Sequence, residues 1–240
     1  MMRLSRTALL ASVLLLGART AAAQTIPSPY RHVETSQMVG VFAGYQWIDD
    51  NISLTDSTEA AMGVQSAPVV GLRYQIRASG PVSIEGAVTV SPSKRQLFEP
   101  EFNADSTEVG AADLGVSVPA TIVSVDAGLR FFLTGARTWK GLAPFVGAGA
   151  SLLGDIRGTF DEEEDADLEP IERFRFGPAF AVNAALGTDW FVRENASLRV
   201  ELSGRLWNME TPAGFLFIRT TDQDEWNPVV GLTVGGAIHF

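Results

Sequence analysis

The sequence predicts an all-β protein, an eight-stranded antiparallel up-and-down transmembrane β-barrel. Three observations predict it. The last segment, Asn227 to Phe240, alternates strictly: Val230, Leu232, Val234, Ile238 and Phe240 form an apolar row broken only by Gly236, while Val229, Gly231, Thr233, Gly235, Ala237 and His239 lie between them. Such period-2 alternation marks a strand whose faces meet different media. The N-terminus has the three-part build of an export signal. Finally, the connections between the eight alternating segments run long, short, long, short, long, short, long, the rhythm of a barrel with long loops at one end and tight turns at the other.

Residues 1–23 read as a cleaved secretory signal peptide. Arg3 and Arg6 make the basic start, Ala8 to Gly17 the short apolar run, and Ala21-Ala22-Ala23 the cleavage site. The apolar run is too short for a membrane-spanning helix, and no later segment reaches the ~18 apolar residues that such a helix needs. A membrane protein of this sequence must therefore cross with strands. There are no cysteines, so disulfides do not close the fold. Residues 24–37, polar and carrying two prolines, read as a periplasmic lead-in, and 38–240 as the barrel.

Strand one is predicted over Val39 to Ile48, with Val39, Val41, Ala43, Tyr45 and Trp47 on one face. Strand two, Ala67 to Arg77, sets Val70, Leu72, Tyr74 and Ile76 against Gly71, Arg73, Gln75 and Arg77. A turn at 78–81 leads into strand three, Val82 to Val90, where Glu85 lies off the apolar row. Strand four, Ala120 to Leu133, sets Val123, Val125, Leu129, Phe131 and Leu133 against Ser124, Asp126, Gly128 and Arg130. Strand five, Leu142 to Leu153, is rich in Gly and Ala, and its faces are not separated by the pattern. Strand six, Phe176 to Val192, and strand seven, Ala196 to Leu206, alternate again, the latter with Arg199, Glu201, Ser203 and Arg205 on its polar face. The long connections are 49–66, 91–118, 154–175 and 207–226; the short ones lie near 78–81, 134–141 and 193–195.

Alternation alone does not distinguish a membrane barrel from a soluble carrier with an apolar interior. The polar face carries Arg73, Arg77, Glu85, Asp126, Arg130, Asp189, Arg199, Glu201 and Arg205, nearly balanced in sign, as a closed interior of paired charges requires. From this set Arg73, Arg77, Glu85, Asp126, Arg130, Glu201 and Arg205 are assigned to a structural charge network in the lumen. Aromatics gather at both ends: Tyr45, Trp47, Phe176 and Trp207 near the long loops, and Phe131, Phe132, Trp139, Trp190, Phe191 and Phe240 near the short turns. They are read as interfacial girdles.

With its apolar last strand ending at Phe240, the chain resembles the small eight-stranded outer-membrane proteins of the OmpA-barrel, OmpX and opacity-like type, over essentially the whole mature length. The resemblance is one of pattern. It implies location in the outer membrane, a monomer among outer-membrane lipid and lipopolysaccharide, and recognition of the last strand, with Phe240 as the assembly signal, by the barrel assembly machinery.

An eight-stranded barrel is just wide enough for side chains to fill, which argues against a general pore. Catalysis is not expected. The two histidines are His32, in the lead-in, and His239, on the lumen face, and the Ser and His two residues apart on a lipid-facing strand that mark outer-membrane lipid deacylases are missing. Neither a cofactor nor a metal centre is expected. The acidic run Asp161 to Glu169 lacks the spacing and glycine of a calcium loop and reads as a solvated loop.

The formal charge is −10, or −13 once Arg3, Arg6 and Arg19 leave with the signal, which excludes nucleic-acid binding by charge. The four long connections hold 22 of the 28 acidic residues and only six basic ones, a net −16. They point to a structural or surface-interaction role, through bridging of lipopolysaccharide phosphates by divalent cations or attraction of a cationic partner. The alternatives are an outer-leaflet lipid-modifying enzyme and a soluble, lipocalin-like periplasmic carrier.

Overall fold

Eight long strands close on themselves in the computed structural model, which describes residues 28–48, 64–102, 109–157, 177–210 and 224–240. In chain order the strands are β1 (Tyr30–His32), β2 (Gln37–Ile48), β3 (Ala67–Ser79), β4 (Val82–Phe102), β5 (Val109–Phe132), β6 (Arg137–Trp139), β7 (Leu142–Asp155), β8 (Ala179–Arg193), β9 (Ala196–Glu210) and β10 (Asp224–His239). Each long strand pairs antiparallel with the next, and β10 pairs with β2, so the ring has no open edge. Residues 1–23, expected to be a signal peptide, lie outside the described residues.

The register fixes the shape. From Gln37, partners lead through Ile76, Ile84, Leu129, Ala148, Ala184, Gly204 and Val230 back to β2 at Trp47, ten residues further along. Eight strands with that stagger tilt by about 40° and enclose a ring of about 8 Å radius, from the usual strand rise and spacing. Such a lumen holds side chains and little else.

The alternation settles which face looks out. Val39, Val41, Leu72, Ile84, Leu129, Leu186, Leu202 and Val234 are all exposed, as are most residues of their rows. Among the described residues 35 large hydrophobic side chains are exposed, against 19 buried hydrophobic residues, while eighteen polar or charged residues are buried. A water-soluble monomer does not expose so continuous an apolar surface. For strand five the outward row is now clear: Val146 and Leu152 point out, and Ala143, Phe145, Ser151 and Leu153 point in.

Three expectations change. Residues 91–118 are not a loop throughout: β4 runs to Phe102 and β5 starts at Val109, paired from Ser91↔Ile122 to Phe102↔Val109, so this hairpin outgrows the neighbouring strands. The pattern does not show it because the outward row is no longer apolar there, with Pro92 and Lys94 exposed, and Pro92 and Pro119 read as breakers. The turn at 134–141 contains the short strand β6, paired with β1. And the lead-in is no loose tether. From β1 it runs to β2, four places round the ring from β7, with Val33 buried. The Val33 amide donates to the Ala136 carbonyl (2.9 Å), and the Ser36 carbonyl accepts from the Arg77 amide (2.8 Å). Residues 28–36 thus form a strap at the turn end of the barrel.

The girdles also need correction. Tyr45, Trp47 and Phe180 are exposed at the loop end, and Tyr30, Tyr74, Phe131, Trp139, Trp190 and Phe240 at the turn end. Trp207 and Phe132 are buried instead, and Phe191 is partly buried against buried Phe132, Ala143 and Phe145. Each stands one residue off its strand's outward row, so its side chain enters the lumen. Phe176 lies outside the described residues.

Candidate functional site

Because successive side chains alternate sides, the polar rows of the strands all converge on the barrel axis. Four arginines and four carboxylates meet there among the described residues. Arg199 of β9 is the hub. Its Nε and Nη2 donate to the two carboxylate oxygens of Asp189 (2.5 and 2.9 Å), its Nη1 donates to Glu85 (2.5 Å), and Nη2 also reaches Gln75 Oε1 (2.9 Å). Arg130 donates to Glu85 (2.8 Å) and lies 3.2 Å from Glu201, while Arg73 donates to Glu201 (3.0 Å). Glu85 and Glu201 are each shared among Arg73, Arg130 and Arg199.

Asp126 and Arg205 form a second group nearer the loops. Arg205 Nη2 is 3.4 Å from Asp126. Asp126 also accepts from Ser124 (3.1 Å) and from Ser151, and Asn183 donates to Ser151 (3.0 Å). Thr89 and Ser124 are hydrogen-bonded at 2.6 Å. The two groups face one cavity of about 50 Å³, lined by Arg73, Glu85, Arg130, Glu201, Asp126 and Arg205 among others. That is room for about three to five waters.

Aromatic rings brace the hub. The Arg73 guanidinium lies 4.1 Å from the Phe42 ring centroid, and Arg199 and Arg130 lie 4.7 and 5.2 Å from that of Phe145. Each ring rests over a glycine on a neighbouring strand. A Cβ on Gly71 would sit 2.4 Å from Phe42 Cζ, and one on Gly187 2.7 Å from Phe145 Cζ. Glycine at these two positions makes the space in which the rings, and through them the arginines, are held.

Apolar clusters flank the charged section at both ends. At the loop end Ile48, Val64, Ile122, Leu153, Ala181, Trp207, Met209 and Val229 form one inward cluster. At the turn end Phe132, Ala143, Phe145 and Phe191 form another. Val33 of the strap lines a cavity of about 20 Å³ there, with Phe132, Phe191 and His239. The pair between the two clusters most withdrawn from water is Arg199–Asp189, and such burial raises the cost of breaking it.

Of the seven residues assigned to the lumen network, Arg73, Glu85, Arg130 and Glu201 lie in the hub, and Asp126 and Arg205 in the second group. Arg77 points inward but joins neither. Its Nη1 donates to the Val33 carbonyl (2.7 Å), and among the described residues it pairs with no carboxylate. It stands at the end of β3, lines the small turn-end cavity that Asp189 also lines, and clamps the strap. Asp189 and Arg199, on the same polar face, were not among the seven, yet they carry the most deeply buried pair, with side chains 1% and 2% exposed. Alternation marks them as inward; only the register shows which charges meet.

His239 lies on the lumen face, buried, with Nε2 2.7 Å from Ser197 Oγ and its ring 4.6 Å from Phe191. Ser197 is 3% exposed and points to the lumen, away from the outer face where an acyl chain would lie. His32 is exposed in β1. Phe240 is exposed, and its backbone seals the barrel: its N–H donates to the Gln37 carbonyl (3.0 Å), and its own carbonyl accepts from Gln37 (3.0 Å) and Ser36 (3.2 Å). Among the described residues no group of three or more His, Cys, Asp and Glu side chains could hold a metal ion. The run at 161–169 lies outside the described residues.

No protein-family model matches the sequence, and no curated protein matches it. Among solved structures the chain is similar to Neisserial surface protein A, at 12% identity and a TM-score of 0.49, covering 85% of this chain and 97% of that one. It is similar to the outer membrane protein OprG from Pseudomonas aeruginosa, at 13% identity and a TM-score of 0.49, covering 86% and 97%. It is also similar to Outer Membrane Protein W of E. coli, at 13% identity and a TM-score of 0.45, covering 88% and 100%.

Proposed function

We propose that the chain is an integral outer-membrane barrel whose role is structural or interactive, exerted through acidic loops on the cell surface, without an open pore and without catalysis. One observation carries the membrane reading: a continuous apolar belt faces outward around a lumen of buried charges. A soluble carrier has the reverse arrangement, with an apolar interior for its ligand. The closed ring also satisfies the backbone without an edge, the condition for strands to cross lipid.

Support for a closed lumen comes from the ion-pair hub and the two apolar layers that flank it. Support for a non-enzymatic role comes from the inward aim of Ser197 and His239. The surface role rests on the loop charge of −16, set over a membrane whose lipopolysaccharide phosphates attract divalent cations.

The test is to fold the mature chain into detergent and run it boiled and unboiled on a denaturing gel. A detergent-dependent, heat-sensitive mobility shift is expected. A chain that folds without detergent and shows no shift makes the soluble carrier the better reading. Deletion of 161–169 then tests the loops: loss of a divalent-cation effect on lipopolysaccharide association supports the surface role, and an unchanged effect removes it.

A further inference from the structure

The outward face does not end with the eight barrel strands. Trp190 of β8 is the register partner of Leu142, Leu142 of Trp139, and Trp139 of Tyr30 in β1. Partners across an antiparallel ladder share a face. One lateral row therefore runs from the barrel wall onto the β1–β6 ribbon, and its aromatic members are 45–52% exposed. His32 and Arg137, two residues along, are partners on that same face, while Thr138, of opposite parity, is buried.

This ribbon has an unusual charge. Residues 28–33 and 131–144 carry Arg31, Arg137 and Lys140 and no carboxylate, in a chain whose opposite end is net −16. Lys140 is also held in an unusual way. Lys140 (φ 51°) and Gly141 (φ 85°) form the two-residue turn from β6 to β7, and Lys140 is the one non-glycine residue with positive φ among those described. Tight hairpin turns of this kind favour Asn, Asp or Gly at that place. A lysine there accepts a backbone strain that glycine avoids. Its amide donates to the Pro29 carbonyl (2.9 Å), and its Nζ stands 5.3 Å from the Trp139 ring centroid.

We propose that the outward face of the β1–β6 ribbon binds the headgroup of an anionic phospholipid in the periplasmic leaflet. Arg137 and Lys140 take the phosphate, and Tyr30 and Trp139 lie at the boundary between headgroup and acyl chains. Aromatic rings prefer that depth, and basic side chains beside it draw anionic headgroups. The proposal rests on the membrane reading above and names the lipid that this end of the barrel selects.

The experiment places the mature chain in nanodiscs of equal phosphatidylglycerol and phosphatidylcholine and counts retained lipids by native mass spectrometry. Retention should favour phosphatidylglycerol. K140N and R137Q should each lower that preference by about fivefold, the worth of one basic side chain near a membrane surface, while K94Q, on the extended hairpin, leaves it unchanged. K140N removes the charge but suits the turn, so its folding is not at risk. A chain that does not enter nanodiscs overturns the membrane reading and this proposal together. A chain that enters but retains both lipids equally, or keeps its preference in K140N and R137Q, overturns the lipid site alone.

Discussion

Arg199 and Asp189 face each other as register partners on β9 and β8, joined by two hydrogen bonds of 2.5 and 2.9 Å, with side chains 2% and 1% exposed. Neither has access to bulk water. Removing Asp189 leaves Arg199 with Glu85 and Gln75 but strips its bidentate partner. Breaking a buried pair from one side costs about 3–5 kcal/mol. Asp189→Ala should therefore lower the urea midpoint of the folded barrel strongly. Asp126→Ala, whose site is less buried, should cost less, and Glu194→Ala, at an exposed turn, should stay within about 0.5 kcal/mol. Equal midpoints for Asp189→Ala and Glu194→Ala would remove the hub from the account of stability.

The two glycines under aromatic rings give a second prediction. A Cβ on Gly71 meets Phe42 Cζ at 2.4 Å and the Val88 carbonyl oxygen at 2.7 Å, while one on Gly236 meets nothing within 4 Å. Gly71→Ala should destabilise by about 1–3 kcal/mol as the ring is displaced. Gly236→Ala should fall within about 0.5 kcal/mol of the parent. Part of the Gly71→Ala loss should be recovered in a Phe42→Leu background, read from a double-mutant cycle; a strictly additive cycle would show that the ring is not what the methyl group strikes.

The strap can be tested apart from the barrel. Val33 is buried at the turn end, and Arg77 holds its carbonyl at 2.7 Å. Val33→Asn buries an amide beside Phe132 and Phe191, which line the same small cavity. The variant should release residues 28–36 to proteolysis while the barrel keeps its heat-dependent gel shift. Unchanged protection of the segment would mean that Val33 does not anchor it.

Period-2 alternation of an apolar with a polar face made the barrel strands legible in the sequence, save for the faces of the Gly- and Ala-rich strand five and the outer lengths of β4 and β5. The same parity puts Trp207, Phe132 and Phe191 inside; grouping aromatics by their nearness to strand ends hid this. What alternation could not supply was anything set by register. Glu85 and Arg199 are 114 residues apart, and they meet only because the stagger of ten residues brings β4 and β9 to the same height across the lumen. The β1–β6 ribbon was hidden for another reason. Its strands have three residues each, too few for any period to show, and its pairing is held by backbone bonds that side-chain patterns do not report.

Leu186 tests the medium around the barrel. It lies midway along β8 (Ala179–Arg193), on the outward row with Val182 and Trp190, and is 57% exposed. Beside water, Leu186→Arg would be close to neutral, because the side chain loses no packing and gains hydration. In the middle of a bilayer the same change costs about 2–4 kcal/mol, and the cost falls to about 0–1 kcal/mol near the interfaces. Val192, near the turn end of the same row and 56% exposed, supplies that comparison. Unfolding midpoints in lipid vesicles should therefore drop much more for Leu186→Arg than for Val192→Arg, although the two sites are equally exposed. Equal, small effects would mean that the apolar belt does not face lipid, and the buried charges would need another explanation.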